Sequence, residues 1–149
     1  MIREIIQGFK NFWFYRKVIW NDRWYDFYFF LEMQEKKLEN MSINWKDSHY
    51  LDSEEEQVTI DRALFLTKRL KEDDYIENAM EMMDKKYGTL ELNEDDSDDS
   101  SLFLRGGKEP SPEENVDWKN AFTEANNARE ADKQELFNLI ADNLDKWWD

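Results

Sequence analysis

The sequence predicts a mainly α chain, a helical bundle with one small β-hairpin insertion at about residues 89–105. Three observations carry that prediction. Apolar residues recur at i, i+3, i+4 and i+7 over most of the chain, which is the helical period. Cap residues followed by first-turn acids punctuate those stretches. Only residues 89–93 and 102–105 alternate apolar and polar as a half-buried strand does. At 149 residues the chain is expected to be one domain that buries about two thirds of its unfolded surface. Within it the pattern divides into a helical core over 1–88, a hairpin and acidic loop over 89–110, and C-terminal helices over 111–149.

The first helix is predicted over residues 2–20, where Ile2, Ile5, Ile6, Phe9, Phe12 and Trp13 form an apolar stripe with Lys10, Arg16 and Lys17 beside it. Gly8 is its weak point. The stripe either packs on the other helices or serves as a partner or membrane-surface helix. The first thirty residues hold twelve of the twenty-three aromatic side chains, and each buried ring removes roughly 150–250 Å² from water. This segment therefore forms core, seats a partner, or does both.

Asn21 and Asp22 are good cap residues, and from about Trp24 the repeat Phe27, Phe30, Leu31, Gln34, Leu38, Met41 marks a second amphipathic helix. Tyr28 and Phe29 fall off that stripe, so this helix is expected to sit between two others. His49 and Tyr50 lie in a polar connection, where a lone His reads as a surface residue. Ser53 with Glu54, Glu55 and Glu56 starts a third helix. Its inward set is Ile60, Ala63, Leu64, Thr67 and Leu70, and its outward set Arg62, Lys68, Arg69 and Lys71. Asp73 and Asp74 interrupt it. Tyr75, Ala79, Met82, Met83 and Tyr87 then mark a shorter fourth helix ending at Gly88.

The tract Glu94, Asp95, Asp96, Ser97, Asp98, Asp99, Ser100, Ser101 caps the predicted hairpin. It lacks the glycine and terminal glutamate spacing of a calcium loop, so it reads as a solvated tip with no metal. Gly106-Gly107 is too short to cradle a phosphate. Ser111, Pro112, Glu113 and Glu114 restart helix with cap, first-position proline and acid in their preferred places. A last helix from Asp132 carries Leu136, Phe137, Leu139, Ile140, Leu144, Trp147 and Trp148. That terminal indole pair either docks on the core or belongs to a binding surface.

Composition narrows function. The chain has no Cys, one His and four Gly, which removes thiolate chemistry, the common nucleophile–base pairs, transition-metal clusters and glycine-rich nucleotide loops. No cofactor and no catalytic residue is assigned. No stretch is apolar and long enough for a membrane span. Residues 1–37 carry a net +2 and the remainder −17, which together give −15. Such an acidic body repels nucleic acid and is steered towards basic protein surfaces. A phosphate backbone would have to be met by the N-terminal segment alone.

The run Trp20, Asn21, Asp22, Arg23, Trp24, Tyr25, Asp26, with Phe30, Leu31, Lys37, Leu38, Asn40 and Met41, resembles a family of small proteins of tailed bacteriophages with no assigned activity. The resemblance extends through Ile60, Arg62, Ala63, Leu66, Arg69, Leu70 and Tyr75, then Asp84, Lys85, Lys86, Tyr87, Gly88, and ends in Trp147, Trp148, Asp149. Tyr87 stands where the pattern has Trp. The resemblance implies a viral origin and action in the host cytoplasm, with no mechanism attached.

The expectation is therefore a phage accessory protein that binds, and inhibits or redirects, a host defence or nucleic-acid-handling protein. The other readings are a protein that sequesters a nucleotide or signalling ligand, and a virion or assembly component; an oligomer stays open in each. The expected site is the junction of Arg23 and Trp24 with Arg62 and Arg69, closed by Trp147 and Trp148, because guanidinium groups beside indole rings suit a planar anion.

Overall fold

The computed structural model describes residues 2–21, 27–47, 53–93, 102–105 and 109–147, and the chain is mainly helical. Its elements in order are α1 (Ile2–Asn21), α2 (Tyr28–Asp47), α3 (Ser53–Glu72), α4 (Tyr75–Tyr87), β1 (Leu90–Asn93), β2 (Leu102–Arg105) and α5 (Pro112–Asn143). The sequence predicts one domain with its core over 1–88. The backbone groups into two compact units, Met1–Glu72 with Asp132–Asp149, and Asp73–Ala131. The first boundary falls at Asp73, which takes the left-handed conformation with φ 53° and so stops α3.

In the first unit α3 is the centre. One edge packs antiparallel on α2: Lys71 pairs with Glu35, Lys68 with Glu39 at 3.3 Å, and Ser42 donates to Asp61 at 2.7 Å. The other edge packs antiparallel on the C-terminal part of α5, with Arg69 on Asp132 and Arg62 on Glu135. Two neighbours on two sides explain why the buried arc of α3 differs from the predicted one. Ile60, Ala63, Thr67 and Leu70 are buried as their spacing suggests, but Leu66 is fully buried while Leu64 is only partly so. Leu66 lies between Arg62 and Arg69 on the row that meets α5.

The buried row of α2 is Leu31, Glu35, Leu38, Met41 and Ser42, whereas Phe27 and Phe30 are 63% and 53% exposed. The apolar repeat includes those rings and omits Glu35 and Ser42, because it registers apolar residues alone. Glu35 is buried with Lys71, and that carboxylate outweighs burial to raise the lysine's pKa. The predicted start of α2 near Trp24 lies outside the described residues, and the helix begins at Tyr28.

In the second unit α4 buries Tyr75, Ala79 and Met83 and leaves Met82, another of the residues that mark this helix, 61% exposed. Gly88, at φ 92°, donates its N–H to the Asp84 carbonyl at 2.8 Å and ends the helix. β1 and β2 pair antiparallel with Leu90 opposite Arg105 and Asn93 opposite Leu102. The acidic tract 94–101 and Gly106-Gly107 lie outside the described residues. Ser111 caps α5, its hydroxyl accepting the Glu114 N–H at 3.2 Å. The helix then runs without a break to Asn143, where a separate last helix from Asp132 was predicted. No Gly or Pro follows Pro112, so nothing in residues 125–135 stops it.

Candidate functional site

The expected arginine–indole junction is only partly among the described residues. Arg23, Trp24 and Trp148 lie outside them. Arg62 is held in a two-pronged pair by Glu135, with Nε and one terminal nitrogen each 2.7 Å from a carboxylate oxygen. That hydrogen-bonded pairing raises the arginine's pKa further and lowers that of Glu135. Arg69 lies 3.1 Å from Asp132. Trp147 is buried, and its indole N–H donates to Thr59 at 3.0 Å. The two arginines thus neutralise carboxylates of the same unit and fasten α5 to α3. A planar anion would have to displace Glu135 and Asp132 to use them.

The residues Asp84, Lys85, Lys86, Tyr87 and Gly88 also serve structure within the second unit. Lys86 and the Tyr87 hydroxyl both reach the carboxylate of Asp117, the hydroxyl at 2.6 Å. The hydrogen bond from Lys86, followed by that from Tyr87, holds the Asp117 pKa below its ordinary value. Among the described residues no group of three or more His, Cys, Asp or Glu is placed to hold a metal ion.

The surface that stands out chemically is α1. Ile2, Ile5, Ile6, Phe9, Phe12, Trp13 and Trp20 form one stripe, and each is more than half exposed, from 51% at Ile6 to 89% at Trp20. The single buried residue of the helix is Val18, nine positions and so about two and a half turns from Phe9, on the opposite face. The side near α2 is the more polar one. Gln7, Lys10 and Asn11 line a polar depression there with Lys37 and Asn40. The amphipathic pattern of this helix is therefore reversed, with its richest apolar face directed to solvent. Of the two readings the stripe admits, packing on other helices is not what the structure shows.

Around the stripe Arg16 lies 3.9 Å over the Trp13 ring and also donates to the Trp13 carbonyl. Ile6, Phe9, Lys10, Trp13 and Phe14 line a shallow concavity. The helix carries four basic residues and one acid, a net +3, on a chain whose remainder is −18. Among the described residues no helix is long and apolar enough to cross a membrane.

A second apolar surface was missed by the sequence reading. A groove of about 490 Å³ runs along α2 and the end of α5, with Leu38, Met41 and Trp147 buried in its floor and Phe30 and Leu144 at its rim. Gln34 lines it too, and both polar atoms of its amide are buried without a hydrogen-bond partner. Tyr15 of α1 forms one edge, and burial raises its pKa. The signal was present in the Phe30, Met33, Gln34, Lys37, Met41 row of α2, but one helix cannot say which row meets another. No family model, curated protein or solved structure matches this chain.

Proposed function

We propose that this protein acts by binding rather than by catalysis, and that α1 is its recognition helix. The observation that carries the reading is the reversed amphipathicity of α1, which leaves seven large apolar side chains uncovered at helical spacing. Anchors at i, i+3, i+4 and i+7 are what a helix offers to an apolar groove on another protein. Such side chains, each more than half exposed, present on the order of 800 Å², about one side of a standard interface.

The partner is a protein whose groove is apolar with an acidic rim, because Arg3, Lys10, Arg16 and Lys17 flank the stripe. The acidic body meets basic surfaces elsewhere on that partner and keeps the protein away from nucleic acid. In the cellular setting suggested by the resemblance to phage proteins, the partner is a host protein in the cytoplasm that is blocked or redirected by the bound helix. In this reading Arg62 and Arg69, which hold Glu135 and Asp132, serve to fasten α5 to α3.

A photoreactive residue in place of Phe9, and separately in place of Val116 on α5, tests this inside producing cells. Val116 is also exposed, at 58%. A discrete protein adduct from position 9 and none from position 116 is the expected outcome. Adducts only to lipid, or adducts to the same protein from both positions, would overturn the assignment of α1.

A further inference from the structure

We propose that, without its partner, this protein pairs with a second copy of itself by reciprocal exchange, each α1 stripe seating in the other copy's groove between α2 and the end of α5. The proposal rests on α1 being the docking element and names what covers it in the free protein.

Both surfaces belong to one compact unit and both are left unfinished by the chain's own packing. The helix lies beside the groove, with Tyr15 at the edge, yet sets Gln7 and Asn11 near α2 and turns Phe9 and Trp13 outward. The groove in turn shows Phe30 53% and Leu144 46% exposed at its rim and keeps the Gln34 amide without a partner. Stripe and groove cannot meet in the observed arrangement of one copy, because the stripe faces away.

Charge selects a second copy over a lipid surface. The helix is +3 and the rest of the chain −18, so α1 of one copy is attracted to the body of the other. The basic side chains of α1 thus meet a body of opposite net charge on the other copy, whereas that body is repelled by anionic lipid. Symmetry closes the assembly at two. Each copy offers one stripe and one groove, so a two-fold exchange fills both and leaves no apolar surface to propagate. Met33 and Met41 in the groove suit this use, since unbranched thioethers adapt to incoming rings.

The test is the mass in solution, by sedimentation over a range of concentrations, of the full chain, of Trp13→Glu and of Leu144→Glu. Both substituted positions are exposed, and unchanged circular dichroism and melting confirm the fold of each variant. The wild type is expected to be a dimer and each variant to dissociate at least about tenfold more readily, which is about 1.4 kcal/mol. The decisive sample is an equal mixture of the two variants. It regains a heterodimer, because the intact α1 of Leu144→Glu meets the intact groove of Trp13→Glu. A wild type that stays monomeric overturns the proposal, as does a Leu144→Glu chain that dimerises like wild type, which would mean α1 on α1. Failure of the mixture to recover also overturns it. A monomeric wild type that still gives the position 9 protein adduct in cells would remove self-pairing and leave α1 as recognition helix.

Discussion

Trp147 and Thr59 are joined across 88 positions of sequence by an indole N–H···O bond of 3.0 Å, and the Thr59 hydroxyl in turn donates a hydrogen bond to the Glu56 carbonyl at 2.9 Å. The indole is 6% exposed and also forms part of the groove floor. Trp147→Phe keeps most of the ring and loses the bond, so it should cost about 0.5–1.5 kcal/mol. Trp147→Ala empties the site and should cost about 3–5 kcal/mol. Chemical denaturation of both variants checks the ratio; equal and small losses would mean that the end of the chain is not docked.

Leu66 and Leu64 are two positions apart on α3 and differ in fate. Leu66 is fully buried and Leu64 only partly. Leu66→Ala is expected to lose about 2–5 kcal/mol and Leu64→Ala clearly less. The reverse order would put α5 on the wrong side of α3.

Gly8 sits within α1 with nothing inside 4 Å of where a Cβ would be, and its φ is not in the left-handed range. Gly8→Ala should therefore add helix and about 0.5–1 kcal/mol of stability to α1 without touching a neighbour. Amide exchange on residues 4–12 is the readout, and faster exchange in the variant would contradict the observed helix.

Glu135 titrates below its ordinary value of 4.5 because Arg62 donates two hydrogen bonds to it. A depressed folded-state pKa means that the pair contributes above the unfolded value and is lost as the pH falls through the folded one. The Glu135 carboxyl resonance should move to a higher midpoint in Arg62→Ala, with little change in melting at neutral pH, since both groups are exposed. An unshifted midpoint would show that the pair does not persist in solution.

Much of the fold was legible because helical period and cap chemistry are local. The extent of α1, the start of α5 at Ser111-Pro112, and the stop at Gly88 each follow from residues within one turn of the feature. What was not legible depended on partners distant in sequence. Glu35 and Ser42 look outward until Lys71 and Asp61 are placed opposite them. Arg62 and Arg69 look like a free cationic face until Glu135 and Asp132 arrive from a helix more than sixty positions on. The stripe of α1 was plain in the sequence, but its direction was not, since periodicity gives a face without saying what lies against it.

In the free protein α1 turns its apolar stripe to solvent. Fluorine NMR of the chain labelled with fluorotryptophan, at a dilution that favours the monomer and with a soluble paramagnetic agent, measures this side chain by side chain. Trp13 and Trp20 should be broadened strongly and Trp147 protected, as their exposures of 66%, 89% and 6% require. Protection of Trp13 equal to that of Trp147 under those conditions would mean that the stripe is packed within its own chain, and would contradict the account.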